Sequence, residues 1–227
     1  MLRDHGALTP NGVVVRDLSE LDTARRLKSP WIVKPAAGGA SCGVNPGAVV
    51  FDEEGLRKRV ELHLQNMEQP ALVEEFVDGR EFTVALLQTG NREFTVLPIV
   101  EVLFDSLPEG SPHIYTYEAK WEDDTPECRG TFLECPADID EDLEESIKQT
   151  VIAAARAVDA RDYVRIDIRA RRDNNAVVVL DVNPNPAFSA GSAFVFAAEA
   201  SGRTYSQILN EILRSALDRH MPTGRDD

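Results

Sequence analysis

Apolar residues fall in short clusters along this 227-residue chain, and their period switches between two and about 3.6. GVVVRD (12–17) and WIVKP (31–35) predict strands on either side of a helix over LSELDTARRL (18–27). A loop of small residues, AAGGASCG (36–43), precedes a strand at GAVVF (47–51). Asp52 is a natural N-cap for a helix over 52–67, followed by a strand at ALVEEFV (71–77). REFTVALLQ (80–88) and REFTVLPIVEVL (92–103) read as a hairpin around Thr89-Gly90-Asn91. Residues 104–136 carry little periodicity and much Pro, Glu and Asp, which predicts a long functional excursion. A helix over 142–160 then leads into two strands, YVRIDIRA (163–170) and AVVVLDV (176–182), joined by the polar turn 172–175. Two helices broken at Gly202 close the chain. Strand hairpins mixed with helices argue for an α+β fold and against a doubly wound parallel sheet.

Composition narrows the function classes. The length suits one large domain or two closely packed subdomains. With 24 Lys and Arg against 39 Asp and Glu, the net charge is −15, which disfavours nucleic acid and anionic membranes as partners. A small anionic ligand in a pocket with its own lysines stays compatible, because fields in a cleft are local. The three cysteines, Cys42, Cys128 and Cys135, show no CxxC spacing and read as thiols in a reducing compartment. No apolar run approaches the roughly 20 residues of a membrane helix, and MLRDHGALTP lacks a signal-peptide core, so the cytoplasm is expected.

Candidate chemistry concentrates at strand ends. In VVVLDVNPNPAF (177–188), Asp181 and Asn183 stand two apart in a strand and should share a face. In YVRIDIRA the alternation puts Arg165, Asp167 and Arg169 on one face, one hairpin away. Asp167, Asp181 and Asn183 are three hard oxygen donors that suit Mg²⁺ beside phosphates. The two prolines also make a plain strand-to-turn exit. Lys34 ends an apolar strand just before the small-residue loop. Its ammonium, with the amides of Gly38, Gly39, Ala40 and Ser41, can meet a phosphate, or it is simply a surface lysine. The lysine precedes the glycines, so this is not a Walker loop. VEEFV (73–77) offers a backbone edge flanked by Val and Phe that suits adenine, and Glu81 could hold ribose hydroxyls. Equally, it is a strand with a charged edge.

Taken in order, IVKPAAGGASCGV, VEEFVDGREFTVALL, YEAKW, YVRIDIRA and LDVNPNP resemble the ATP-grasp superfamily, in its D-alanine–D-alanine ligase-like branch. The resemblance runs over about residues 10–220. It implies an ATP-dependent carboxylate–amine ligase that grips ATP between two α+β subdomains. Residues 1–29 would be a remnant leading in, 30–77 the small lid subdomain, and 78–227 the large subdomain with the metal site. Lys34 and the loop, with Gly39 and Ser41, would bind phosphates. Glu74 and the backbone of Phe76 and Val77 would read adenine, with Glu81 on the ribose. Lys120 would reach the γ-phosphate, and Asp167, Asp181 and Asn183 would hold one or two Mg²⁺, with Mn²⁺ as a substitute. Arg165 would face the reacting carboxylate, and Ser192 would lie where such ligases grip the carboxylate of the second amino acid.

Four departures from that pattern bear on the product. The family's N-terminal substrate domain does not precede this region, so a longer chain, a homodimer or a partner would have to supply it. Asp181 stands where the superfamily usually has Glu. Ala40 and Trp121 occupy positions of a serine and a tyrosine near the first substrate. Ala187 replaces a glycine in the loop after Asn183. Together these turn the expectation away from D-alanyl-D-alanine and toward other amino acids or small peptides. The alternative is an ATP-binding module impaired in catalysis or dependent on a partner.

Overall fold

A computed structural model describes residues 1–89 and 93–220. The chain forms two compact units. One holds residues 10–78 and 102–132; the other holds 1–9, 79–101 and the chain from 133 onward. The division expected from the resemblance had put 102–132 in the large subdomain and 1–29 in a separate remnant.

The unit of 10–78 and 102–132 is built on an antiparallel sheet in the order β1-β4-β2-β3. Its strands are β1 (Gly12–Val15), β2 (Trp31–Pro35), β3 (Val49–Val50) and β4 (Ala71–Glu75). Alternation decides its two faces. Val15, Trp31, Val33, Ala71 and Val73 pack with Leu21 and Ala24 of α1 (Leu21–Ala24) and with Leu56 and Val60 of α2 (Glu53–Met67). The helix α2 starts where the Asp52 carboxylate accepts from Gly55 N at 2.7 Å, and it buries Leu56, Val60 and His63 along one stripe. The opposite sheet face carries Ile32, Lys34, Leu72 and Glu74 in register.

The other unit contains β5 (Gly79–Thr89), β6 (Glu93–Val96), β9 (Tyr163–Arg171) and β10 (Val177–Asn183), with β7 (Val100–Leu103) and β8 (Phe132–Glu134) at the unit boundaries. The sheet order is β10-β9-β5-β7-β8, with β6 also on β5. One face presents Phe82, Val84, Leu86, Val164, Ile166, Ile168, Val177 and Val179 to the helix α5 (Glu141–Ala157) through Leu143, Ile147, Val151 and Ala154. Each fully buried Val, Leu, Ile or Phe among them contributes about 1.5–3 kcal/mol of transfer free energy. On the other face, Ala85 and Leu87 lie under Phe194, Ala197 and Ala198 of α6 (Ala193–Ala200) and Ile208 of α7 (Tyr205–His220). Along the rest of that face run Glu81, Thr83, Asp167 and Arg169.

The α+β class with antiparallel sheets is the one the sequence predicts. Four local readings change, the first being the strand expected over 47–51, which keeps only Val49–Val50 behind a 3₁₀ turn. The helix expected over 18–27 shrinks to a 3₁₀ turn and one α-turn. The strand expected over 92–103 breaks into β6 and β7 around Leu97-Pro98-Ile99, since Pro98 has no N–H for a ladder. The excursion 104–136 contains α3 (Tyr117–Trp121), α4 (Pro126–Gly130) and β8. Thr116 caps α3 by accepting from Ala119 N, and Thr125 caps α4 by accepting from Cys128 N. Five-residue helices are too short to show a period. The expected turn at Thr89-Gly90-Asn91 lies outside the described residues. No described helix is long and apolar enough to cross a membrane.

Candidate functional site

The polar face of β5, β9 and β10 is set by register. On β9 the core takes Val164, Ile166 and Ile168, so Arg165, Asp167 and Arg169 point the other way. Val177 and Val179 of β10 oppose Ala170 and Ile168 on the core side. Unbroken alternation would then turn Asp181 toward the core opposite Ile166. A register shift between Val179 and Asp181 instead sets Asp181 opposite Asp167, Val182 opposite Ile166, and Asn183 opposite Arg165. The extra residue is Leu180, a bulge of the kind that re-aims side chains beside functional sites. It moves the carboxylate from the apolar face to the polar one.

Asp167 is held from two sides. Arg165 donates Nε to Oδ1 and Nη2 to Oδ2, both at 2.9 Å, and Thr83 Oγ1 donates to Oδ1 at 2.6 Å. This fork–fork pairing fixes the carboxylate plane. Asn183 Oδ1 accepts from Asn185 N at 3.0 Å, which starts the turn through the two prolines. Farther along the same face, Glu81 opposes Arg169 in the ladder. Arg169 Nη2 and Nε both reach Glu81 Oε2, at 2.6 and 3.2 Å, and only 2% of the arginine side chain is exposed. The sequence pattern assigns no role to Arg169 or Thr83, although alternation already places Arg169 beside Asp167, and Thr83 beside Glu81. Ser192 is the N-cap of α6, its Oγ accepting from Val195 N at 3.5 Å.

In the unit of 10–78 and 102–132, Lys34 Nζ pairs with Glu74 at 2.7 Å, both side chains mostly buried. Lys34 opposes Leu72, and Glu74 lies two residues on, so the two are diagonal neighbours on the face away from the core. Gly12 opposes Glu74 in β1, where a Cβ would stand 2.8 Å from Glu74 Cγ; the glycine makes room for the carboxylate. Phe76 N donates to Pro30 O at 2.8 Å, so this amide is used at the strand end.

The small-residue loop has a defined form in which Ala40 and Ser41 both sit at φ 58°. Non-glycine residues seldom adopt that region, and the neighbours that hold them there come from α3 and the segment before it. Trp121 Nε1 donates to Ala40 O at 3.0 Å, Ser41 Oγ donates to Tyr115 O at 3.0 Å, and Tyr117 N donates to Val44 O at 2.9 Å. Lys120 Nζ lies 4.3 Å from the centroid of the Tyr115 ring. Ala40 and Trp121, two of the departures from the expected pattern, therefore touch each other.

The residues proposed for Mg²⁺ fit it in kind. Asp167 and Asp181 face each other across the ladder, with Asn183 beside them, and all three offer hard oxygens. Among the described residues no group of three or more His, Cys, Asp or Glu could hold a metal ion. The donor set is thus two acids and an amide, suited to an ion that takes its remaining ligands from phosphate and water.

Residues 9–214 match the family profile described as D-ala D-ala ligase C-terminus. The chain belongs to the D-Ala–D-Ala ligase C-terminal family. Among its relatives is an uncharacterised protein of Sinorhizobium fredii, 36% identical over 99% of this chain and 62% of that protein. A D-alanine–D-alanine ligase A of Mesorhizobium japonicum is 32% identical over 97% of this chain and 59% of that enzyme. This family member therefore spans about 60% of the length of these relatives. Its fold matches the D-alanine–D-alanine ligase of Bacillus anthracis complexed with ATP (TM-score 0.71, 22% identity), over 96% of this chain and 64% of that one. It also matches the VanG D-Ala:D-Ser ligase of Enterococcus faecalis (TM-score 0.72, 22% identity), over 94% and 58%.

Proposed function

We propose that this chain is the nucleotide- and metal-binding part of an ADP-forming carboxylate–amine ligase that joins amino acids or small peptides. The observation that carries the reading is the bulge at Leu180, which brings Asp181 opposite Asp167 on the face shared with Glu81. The shift spares the core a buried carboxylate, and it also sets that carboxylate beside Asp167 and Asn183, the arrangement a metal–phosphate site needs.

In the proposed reaction a substrate carboxylate oxygen attacks the γ-phosphorus of ATP, ADP leaves, and an acylphosphate forms. An amine then attacks the acyl carbon, and inorganic phosphate leaves. Asp167, Asp181 and Asn183 would hold Mg²⁺, which when bound would supply positive charge at the phosphate oxygens. Lys34 and Lys120 bind phosphates, with the amides of Gly39 and Ser41 as neutral donors. Glu74 and the backbone of Phe76 and Val77 take the adenine, and Glu81 takes the ribose. Arg165 is steadied by Asp167 so that its outer donors meet the reacting carboxylate or the oxyanion that follows. Ser192, at the start of α6, takes the carboxylate of the second substrate. The substitutions at positions 40, 121 and 187 support a product other than D-alanyl-D-alanine.

The test mixes the chain with Mg·ATP and a panel of amino acids and small peptides, and follows phosphate release. Substrate-stimulated release that Asp167→Asn abolishes, and ATP affinity that falls tenfold or more in Lys34→Ala, are the expected results. The shorter Asp181 favours one other reading, an ATP-binding module without ligation. ATP binding with no stimulated turnover, also when the chain is extended to the length of its relatives, would establish that reading instead.

A further inference from the structure

Between Asn183 and α6 the chain runs through residues 184–192, in which Pro184, Asn185, Ser189, Ala190 and Gly191 are exposed. The half-buried ring of Phe188 joins three others. Its centroid lies 5.9 Å from that of Tyr163, 5.5 Å from Phe194 and 5.3 Å from Tyr205. Tyr163 also meets Phe194 edge-on at 5.5 Å, and Phe194 is fully buried. Packing of this kind needs only the rings. Both tyrosine hydroxyls nevertheless reach the same exposed segment. Tyr163 Oη donates to Asn185 Oδ1 at 2.8 Å, and Tyr205 Oη donates to Phe188 O at 2.9 Å.

We propose that Tyr163 and Tyr205 are positioning residues that stake the segment 184–192, and through it set the aim of Asn183 and the place of Ser192. The two stakes come from regular elements. Tyr163 begins β9, two residues before Arg165, and so lies on the strand face that carries Arg165 and Asp167. Tyr205 is the first residue of α7. On the Asn183 side the fixing passes through Asn185. Tyr163 holds its side chain, and its N–H goes to Asn183 Oδ1 at 3.0 Å. That oxygen keeps a second lone pair for a cation. Pro184 and Pro186 flank Asn185 with φ fixed at about −65°, which leaves little freedom between the strand and Phe188. On the Ser192 side, Tyr205 holds the Phe188 carbonyl, and Ser192 N closes the remaining turn onto Ser189 O at 3.0 Å. Groups that orient a metal ligand from behind govern affinity along with the ligand itself. The functional consequence rests on the reading above, in which Asn183 takes Mg²⁺ and Ser192 the carboxylate of the second substrate. The staked segment would then carry both ends of the site as one preset piece.

Tyr163→Phe and Tyr205→Phe keep the ring and remove only the hydroxyl, so they separate staking from packing. Limited chymotrypsin digestion of the full chain without ligand reads the segment at the Phe188–Ser189 bond, and neither substitution changes the set of cleavable residues. In each variant, cleavage there should rise about threefold or more, the effect of one lost hydrogen bond. Cleavage at the other aromatic residues should keep its wild-type rate. Mn²⁺ binding in the presence of ATP, read from the free-ion EPR signal, tests the Asn183 end. Affinity should fall about threefold or more in Tyr163→Phe and hold within about twofold in Tyr205→Phe. Unchanged cleavage at Phe188–Ser189 in either variant, or an equal rise at every site, overturns the proposal for that tyrosine. Raised cleavage with wild-type Mn²⁺ affinity in Tyr163→Phe overturns the link to Asn183. Raised cleavage in a chain whose wild type binds no Mn²⁺ supports the staking and rejects the metal reading.

Discussion

His63 shows how a single side chain ties stability to pH. It is 4% exposed on the core side of α2, and burial pushes its pKa below the ordinary 6.5. The nearby Arg59 charge pushes the same way, while a hydrogen bond with the Pro70 backbone pulls back. The imidazole is therefore easier to protonate in the unfolded chain than in the folded one. As pH falls through 6.5 the unfolded state takes up the proton first, and stability is lost until the lower folded value is reached. Above that window the group contributes nothing to the slope. In urea titrations, wild type should lose midpoint more steeply than His63→Gln between pH 8 and pH 5.5. Parallel slopes would show that His63 does not titrate differently in the two states. Glu81 and Arg169 make the contrasting case, a buried charged pair in which each partner is expensive to leave alone.

Among the elements, strand β5 depends on how it begins. Gly79 has φ 152°, and a Cβ there would stand 1.9 Å from Ala170 O, against the backbone of β9. Only glycine permits that approach. Gly79→Ala should destabilise the chain by about 1–3 kcal/mol more than Gly110→Ala, since overpacking adds to the backbone strain both share. Gly110 also has positive φ, but nothing lies within 4 Å of its Cβ position. Equal losses in the two variants, read from denaturant midpoints, would show that β9 yields at no cost. The same strands show what the sequence makes legible. Regular alternation in YVRIDIRA assigns its two faces correctly, but only the pairing of β9 with β5 puts Asp167 and Glu81 on one face. The four-residue apolar run VVVL hides a change of parity, and the bulge emerges only from the ladder with β9. Arg59 is invisible in the same way, since nothing in the sequence marks the Gly43 carbonyl that its guanidinium meets at 2.8 Å.

For the whole molecule, the excess of acid decides how salt should act. The net charge of −15 spreads like charges over a fold whose apolar cores do the binding, and self-repulsion opposes compaction. Several exposed ion pairs act in the other direction, such as Lys58 with Glu54, Lys148 with Glu144 and Arg25 with Asp22, each one helical turn apart. Exposed pairs of this kind contribute about 0–1 kcal/mol apiece. They also bridge only a few ångströms, whereas the repulsion of the whole surface acts over distances longer than the roughly 10 Å Debye length at 0.1 M salt. Screening therefore removes more repulsion than attraction. Raising sodium chloride from about 0.02 M to about 0.3 M should increase the thermal midpoint and then level off as the screening length falls below the spacing of surface charges. Chloride is the right anion here, since sulfate would stabilise by exclusion from the surface and mask the charge effect. A falling midpoint would mean that the local pairs outweigh the net charge, and that the acidic excess is distributed far enough apart to cost the fold nothing.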